Sequence, residues 1–311
     1  MSNYLFGVDL GGTTVKMGLF DIKGEVIEKW EIPTRKEDAG SKILPDIADA
    51  INKKIAERGI EKNDVKGIGI GLPGPIEKES VVHKAVNLGW TEDVYVKKIM
   101  EELTGIPTKA ENDANVAALG EMWKGGGQGF DSIVMVTLGT GVGGGIIIDG
   151  KVLSGSTGAG GEIGHIHMKD DETKACGCGN YGCFEQYASA TGLVRTAKKI
   201  LSENTDATTL DAQTVSAKDV FDAVKTGDKV AIKIAEQYGK DLGKGMAVIG
   251  SILNPQAYVL GGGVSKAGDI LLTFVKDAYL KDVFHGSRDA KILLATLGND
   301  AGIYGAAKLV L

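Results

Sequence analysis

The chain has 311 residues, which is enough for a large buried core and, at usual domain sizes, for about two domains. It contains 35 Lys and Arg residues and 41 Asp and Glu residues, which give a net charge of −6, and no segment is a basic block. This charge distribution argues against nucleic-acid or membrane partners and favours small-molecule ligands. No apolar run approaches the roughly 20 residues of a spanning helix, and the start "MSNYLFGVDLGG" lacks a leader pattern, so we expect a cytoplasmic protein.

The first half alternates strand and helix patterns. Short β-branched runs and apolar periodicity predict strands at 4–10, 15–21, 25–32, 65–73 and 108–112, and helices at 43–59 and about 114–123. Such alternation is typical of an α/β architecture.

The second half continues the alternation with a longer helical part. The pattern predicts strands at 132–139, 142–149, 257–263 and 291–297, a mostly helical stretch from about 189 to 253, a helix between the last two strands, and a final helix from about 301. Ser216 followed by Asp219 predicts a capped helix start. No proline-rich or low-complexity linker separates the halves, so we expect any domain boundary to lie in a tight crossing.

One pattern occurs twice. "LGGTTVKMGLFDIKGEVI" from Leu10 and "LGTGVGGGIIIDGKVL" from Leu138 each predict a β-hairpin with a glycine-rich tip. Two such hairpins suggest duplicated lobes that face each other across a ligand cleft, and chance similarity of two glycine-rich hairpins is the open alternative.

Both tips have the chemistry of a phosphate cradle. Unobstructed backbone N–H groups and hydroxyl donors come from Gly11, Gly12, Thr13 and Thr14 and from Gly139, Thr140 and Gly141. Asp9 ends the strand before the first tip, where a carboxylate can hold hydrated Mg²⁺. The spacing is neither a P-loop nor the glycine pattern of a dinucleotide-binding fold.

All three cysteines lie within "CGCGNYGCFEQ", as Cys176, Cys178 and Cys183. The intervening glycines permit a tight loop in which one ion gathers three thiolates, and zinc is the expected ion. The nearest candidates for a fourth ligand are His165 and His167, which the spacing alone does not separate. A site closed by four protein ligands is structural, and the alternative is three small buried side chains. The charged stretch "KDDETK", at 169–174, is expected to be a solvated loop.

Several motifs resemble known families. "VDLGGTTVKMGLFD", "VTLGTGVGGGIIIDGKV" and "VLGGGVS" resemble the two phosphate motifs and the adenosine motif of the actin-like ATPase superfamily. With "GAGGEIGHIHM" and "CGCGNYGCFEQYAS", they resemble the ROK family, named for repressors, open reading frames and sugar kinases, over nearly the whole chain. "AENDANVAALGE" and "GEIGH", in a chain with no extra domain, are most similar to its bacterial ATP-dependent glucokinases.

The resemblance implies a fold, an activity and two metals. The implied fold is a two-lobed α/β structure of actin-like, ribonuclease H-like type with a structural zinc loop, divided into lobes at 1–115 plus 298–311 and at 116–297. The implied activity is Mg²⁺-dependent transfer of the γ-phosphoryl group of ATP to the 6-hydroxyl of glucose, by a homodimer. The implied nucleotide-binding residues are Asp9, Gly11, Gly12, Thr13, Thr14, Lys16, Thr140, Gly141, Gly262 and Gly263.

The resemblance also assigns the base and the sugar ligands. Asp113 is the implied base, although an Asp at a helix start can also be only a cap for Val116 or Ala117. The implied sugar ligands are Asn112, Glu162, His165 and Glu185, with Asn87 and Gly74 near the sugar. Each of these residues could also have a purely structural role. Glu162 could cap a turn, Glu185 could be an acidic residue in the first turn of a helix, and Asn87 and Gly74 could form chain turns. The family match selects His165 as the fourth zinc ligand, whose second ring nitrogen then faces the sugar.

Three other functions share some of these motifs. A ROK repressor carries a DNA-binding helix-turn-helix ahead of the first phosphate strand, whereas here only eight residues precede Asp9. A zinc knuckle for nucleic acid or protein lacks basic and aromatic residues around the cysteines. Another ROK kinase, for fructose, mannose, N-acetylglucosamine or N-acetylmannosamine, is the closest alternative.

Overall fold

The computed structural model describes residues 3–77 and 80–311, so Met1 and Ser2, at the start of the predicted first lobe, lie outside the described residues. The chain divides into two compact units. The first comprises Met1–Asp131, Gly145–Gly161 and Thr296–Leu311, and the second comprises Ser132–Gly144 and Glu162–Ala295. Among the described residues, no helix is both long enough and apolar enough to cross a membrane.

The first unit is built on a five-stranded sheet. Its strands are β1 (Tyr4–Leu10), β2 (Thr14–Asp21), β3 (Val26–Pro33), β4 (Val65–Leu72) and β7 (Thr108–Asn112), with β5 (Val81–Val82) and β6 (Val94–Tyr95) in a separate hairpin. The strand order is β3-β2-β1-β4-β7; β1 is antiparallel to β2, and β4 is parallel to both β1 and β7. The unit's helices are α1 (Glu37–Gly40), α2 (Ile43–Arg58), α3 (Val96–Thr104), α4 (Asp113–Lys124) and α10 (Ala301–Leu309).

Burial follows the sequence pattern in this unit. β1 and β4 are buried along nearly their whole length, as central strands of a covered sheet are, whereas β3 alternates between half-buried and exposed positions. Helix α2 places Ile43, Ile47, Ile51 and Ile55 on one face and packs them into the core with the sheet.

Helices α4 and α10 approach each other closely because glycines lie where they cross. A Cβ on Gly305 would lie 1.5 Å from the Val116 carbonyl oxygen, and one on Gly120 would lie 2.3 Å from that of Ala301. This packing places α4 in the first unit, together with 145–161. The predicted boundary at 115 falls inside α4.

A second five-stranded sheet repeats the strand order of the first. Its strands are β8 (Ile133–Leu138), β9 (Val142–Ile148), β10 (Lys151–Val152), β11 (Ala257–Gly261) and β12 (Lys291–Leu294). The order is β10-β9-β8-β11-β12, with β11 parallel to β8 and β12. If the strands of each sheet are numbered by their order along the chain, both sheets place them side by side as third, second, first, fourth and fifth. This shared topology argues against chance similarity of the two hairpins.

The helices of the second unit are α5 (Glu185–Ala188), α6 (Ala190–Glu203), α7 (Ala217–Lys225), α8 (Lys229–Leu253) and α9 (Asp269–Asp282). The predicted capping box at Ser216 and Asp219 is confirmed. The predicted helical stretch is interrupted between α6 and α7, and the predicted strand at 291–297 ends at Leu294.

Candidate active site and metal centre

Asp113 is the first residue of α4 and directly follows β7, and it is exposed. The helix cap is Asn112, whose Oδ1 accepts from the backbone N–H groups of Ala114 at 2.9 Å and Asn115 at 3.3 Å. Asp113 Oδ1 accepts from the N–H of Ala114 at 2.8 Å. The capping role that the sequence alone offered for Asp113 therefore belongs to its neighbour.

The Asn112 side chain is fixed on its amide side as well. Its Nδ2 donates to the Gly74 carbonyl at 3.1 Å, and Gly74 has a φ of 101°, which explains a glycine at this turn. An amide nitrogen carries two hydrogens, so Asn112 Nδ2 can donate a second hydrogen bond as well. The structure thus brings together two of the residues predicted to lie at the sugar.

Asp9 is the last residue but one of β1 and lies opposite Lys16 of β2. Burial raises the pKa of Asp9; the charge of Lys16 lowers this pKa, and the negative charge of Asp113 raises it. Two carboxylates that repel each other, one partly buried and one exposed, suit a divalent cation, which would relieve their repulsion. Helix α10 backs this carboxylate, because a Cβ on Gly302 would lie 2.6 Å from Asp9 Cγ. The sequence contained no signal for Gly302.

The first glycine-rich tip is held by backbone hydrogen bonds. The N–H of Gly11 donates to the Thr14 carbonyl at 3.1 Å, and Thr34 binds the tip twice, from its N–H to the Thr13 carbonyl and from its hydroxyl to the Gly11 carbonyl. Asn87 lies beside the tip, since a Cβ on Gly12 would be 3.5 Å from its carbonyl oxygen. Nζ of Lys16 donates to the Asn299 carbonyl at 3.2 Å.

The second tip is in contact with Glu185. The N–H of Gly139 closes the tip on the Gly141 carbonyl at 3.0 Å, and the N–H of Val142 donates to Glu185 Oε2 at 3.3 Å. A Cβ on Gly141 would lie 2.4 Å from that carboxylate oxygen. Thr140, Gly141, Cys176 and Glu185 line one cavity of about 340 Å³. Gly262, with a φ of 83°, follows β11 and packs on Leu138, the last residue of β8.

His165, Cys176, Cys178 and Cys183 form the candidate metal centre. Each offers one ligand atom, and these atoms all lie within 4.8 Å of one another. The Sγ atoms of Cys178 and Cys183 are 3.6 Å apart, and Cys176 Sγ is 3.8 Å from His165 Nδ1. Zn–S bonds of about 2.3 Å in a tetrahedron require sulfurs roughly 3.8 Å apart, so the donor set fits zinc.

The environment of the thiols also suits a cation. Burial, followed by a hydrogen bond to Glu185, raises the pKa of Cys176 to about 12, and burial raises the pKa of Cys183. A hydrogen bond with the Asn180 backbone lowers the pKa of the exposed Cys178. A dication among these sulfurs would offset the burial penalty of their charged forms.

His167 lies outside this cluster. Its Nδ1 is 3.0 Å from the Tyr181 carbonyl and its Nε2 is 2.8 Å from Asp170, whose hydrogen bond raises the pKa of the histidine. Both ring nitrogens are therefore occupied at the surface. The structure gathers only His165, of the two candidate histidines, with the thiols.

Two predicted sugar ligands flank the imidazole of a third, His165. Nε2 of His165 is 3.9 Å from Glu162 Oε2, and Nδ1 is 4.0 Å from Glu185 Oε1. The Cys176 thiol donates to the same Glu185 oxygen at 2.9 Å. The metal cluster therefore adjoins a wall of hydrogen-bonding side chains that can read sugar hydroxyls.

The charged stretch at 169–174 is mostly exposed, as predicted, but the Glu172 side chain anchors it. The Glu172 side chain is only 10% exposed; it accepts from the Tyr187 hydroxyl and pairs with Arg195, both at 2.7 Å, and it accepts from the Lys174 N–H at 3.0 Å. Burial would raise the pKa of Glu172, but these donors outweigh it and lower the pKa to about 2. Tyr187 and Arg195 lie on α5 and α6, so the local charge pattern did not reveal these two partners.

Residues 5–311 match the model of the ROK family, and the chain therefore belongs to that family. Its fold is the actin-like ATPase fold of ROK sugar kinases.

Individual relatives are similar over nearly their whole length. Over 313 residues the chain is 45% identical to a glucokinase of Halalkalibacterium halodurans, covering 98% of this chain and 94% of the relative. A ROK family glucokinase from Streptomyces griseus, solved in complex with glucose and AMPPNP, is 34% identical with a TM-score of 0.71 over 98% of each chain. A ROK hexokinase from Thermus thermophilus is 33% identical with a TM-score of 0.79, covering 98% of this chain and 96% of that one.

Proposed function

We propose that this chain is an ATP:hexose 6-phosphotransferase whose substrate is glucose. The observation that carries the proposal is the cluster around His165, in which one ring nitrogen faces the thiols and the other faces Glu162. Glu185 joins this cluster to the tip at 139–141 through the N–H of Val142. Closely spaced carboxylates and an imidazole provide the partners that a buried sugar hydroxyl requires. Similarity to a glucokinase and to a structure with glucose and AMPPNP supports the same substrates.

Phosphoryl transfer needs positioning, charge neutralisation and one base. Asp113 accepts the proton of the glucose 6-hydroxyl while the oxygen of that hydroxyl bonds to the γ-phosphorus. The bond from the γ-phosphorus to the β–γ bridging oxygen breaks, and ADP leaves. Asp9 would hold the Mg²⁺ that accompanies ATP, and this ion would supply charge neutralisation at the phosphates. The phosphates and the nucleotide are bound by Gly11, Gly12, Thr13, Thr14, Lys16, Thr140, Gly141, Gly262 and Gly263.

Sugar binding falls to four side chains and two neighbouring segments. Asn112, Glu162, His165 and Glu185 hydrogen-bond the hydroxyls, and Gly74 and Asn87 shape the surroundings. Zinc held by His165 and the three cysteines would supply a fixed geometry, not a reacting group, because four protein ligands leave no open position.

A coupled ADP-release assay over a panel of hexoses tests the function. We expect the highest kcat/KM with glucose and a requirement for both ATP and Mg²⁺. A higher kcat/KM for fructose, mannose, N-acetylglucosamine or N-acetylmannosamine would replace the substrate. No ATP consumption with any hexose would overturn the proposal.

We further propose that the chain acts as a homodimer, the assembly that the family resemblance implies. Light scattering coupled to gel filtration tests this at micromolar concentration. A mass of one chain would contradict it.

A further inference from the structure

We propose that Glu111 is a positioning residue for sugar binding, a role that rests on the function proposed above. Glu111 lies in β7, immediately before Asn112, and only 9% of its surface is exposed. A carboxylate is costly to bury unless hydrogen bonds replace its lost water, so its partners reveal what it holds in place.

Glu111 has three hydrogen-bond donors around its two oxygens. Oε1 accepts from the backbone N–H of Asn112 at 2.9 Å and from Nδ2 of Asn115 at 3.1 Å, and Oε2 accepts from the Ser154 hydroxyl at 2.7 Å. Asn115 is buried, and its Oδ1 has no hydrogen-bond partner among the described residues, so the bond to Glu111 is what orients its amide. Bonds to a charged acceptor are stronger than neutral ones, which makes this carboxylate a firm anchor.

Ser154 begins the glycine-rich segment 154–161, whose next residue along the chain is Glu162. The Ser154 carbonyl accepts from the N–H of Gly160 at 2.7 Å, and this bond closes the segment into a loop. Gly158, with a φ of 78°, packs against the backbone of Ile76, where a Cβ would lie 2.3 Å from the carbonyl oxygen. One arm of Glu111 therefore fixes a loop that leads directly into a proposed sugar ligand.

The contacts of Glu111, of the 154–161 loop and of Asn112 form a closed cycle. Gly74, two residues before Ile76, accepts from the Asn112 side chain, and the Asn112 backbone donates to Glu111. We call this closed set of contacts the Glu111 ring, and its members are Glu111, Ser154, Gly158, Ile76, Gly74 and Asn112. Because every member constrains the next, a displaced Glu111 carboxylate would disturb both Asn112 and the loop before Glu162. The ring therefore sets sugar affinity without touching the reacting atoms.

Four variants test this role by steady-state kinetics and by calorimetric glucose binding without ATP. Glu111→Ala removes all three hydrogen bonds, and Ser154→Ala removes only the loop arm. Glu111→Gln keeps an acceptor for the two N–H groups and donates to the Ser154 hydroxyl. Ser156→Ala, at an exposed serine of the same loop, is the matched control.

We expect Glu111→Ala to raise the KM and Kd for glucose about tenfold or more, with the KM for ATP and kcat changed by less than about threefold. Glu111→Gln should restore most of the affinity. Ser154→Ala should fall between, and Ser156→Ala should match the parent chain. Hydrogen exchange should accelerate at 74–76 and 153–161 in Glu111→Ala and Ser154→Ala only.

A merely structural role predicts equal losses for both substrates, or glucose affinity unchanged in a folded Glu111→Ala, and either result overturns the inference. If Glu111→Ala does not fold, the difference in glucose affinity between Ser154→Ala and Ser156→Ala decides, and no difference refutes the role. A parent chain that phosphorylates no hexose would instead reject the proposed function, and this role with it.

Discussion

Replacing Gly302 by Ala tests whether Asp9 positions the divalent cation. The new Cβ would lie 2.6 Å from Asp9 Cγ and 3.0 Å from Asp9 Cβ, whereas ordinary contact begins near 3.4 Å. The carboxylate must therefore retreat by about 0.8 Å, the difference between 3.4 and 2.6 Å, or β1 and α10 must separate. Asp9 is short and its Cβ is also close, so a change of rotamer alone does not remove the clash.

Stability should change less than activity. Alanine favours the helix by about 1 kcal/mol over glycine, while overpacking costs about 1–3 kcal/mol, so the free energy of unfolding should fall by no more than about 2 kcal/mol. A positioning group displaced by about 1 Å costs about 100-fold in rate. The variant should therefore remain folded and turn over slowly.

The assay measures kcat at saturating glucose as Mg²⁺ and ATP are varied. We expect kcat to fall about 100-fold and the Mg²⁺ concentration for half-maximal rate to rise, with the KM for glucose within about twofold. Tyr304→Phe, on the same helix, is the control and should behave as the parent chain. A folded Gly302→Ala with unchanged kcat and Mg²⁺ dependence would refute the role given to Asp9.

Three other predictions concern the base, the metal and the anchored loop. Asp113→Asn should lower kcat by about 10²–10⁴-fold with little change in glucose binding by calorimetry, and a near-normal kcat would exclude Asp113 as the base. Cys178→Ser should lose zinc, measured by elemental analysis against the parent chain, and weaken glucose more than ATP; unchanged zinc content would exclude Cys178 as a ligand. Glu172→Gln should lower the free energy of unfolding by about 1.5–3 kcal/mol at pH 7 in denaturant titrations. Because folding lowers the pKa of Glu172 from 4.5 to about 2, this stabilisation is complete above pH 4.5 and is lost as the pH falls towards 2, so the gap between parent and variant should narrow below pH 4.5. A gap that stays constant between pH 7 and about 3 would contradict the ion-pair argument.

Local patterns predicted the sheet elements well. β1 and β7 have the predicted bounds. For β1 the reason is its apolar run, which a buried central strand requires, whereas β7 is an edge strand with a mixed sequence. The capping box at Ser216 was predictable for the same reason, since both partners lie within one helical turn. The interruption between α6 and α7 was not placed, although its sequence, NTDATTLDAQTVS at 204–216, is rich in Asn, Asp and Thr, which favour turns over helix interiors.

Site features that depend on backbone direction or distant partners were harder to predict. An extended segment would present His165 and His167 on one side, but His165 ends a short 3-10 turn from Ile163, whereas His167 pairs with Cys183 across a β-bridge. The cap of α4 likewise depended on the extended ψ of Asn112, 144°, which composition does not reveal. The roles of Gly302 and Glu111 were missed because Asp9, which Gly302 backs, and Ser154, which binds Glu111, lie far from them along the chain.

The backing of Asp9 by Gly302 has a consequence for biosynthesis. Asp9 is synthesised long before the helix that supports it, so nascent chains that already contain every phosphate motif still lack this wall. Premature termination anywhere before Ala301 should therefore yield an incompetent enzyme. A separately supplied peptide spanning α10 would have to dock between β1 and α4 to rescue it.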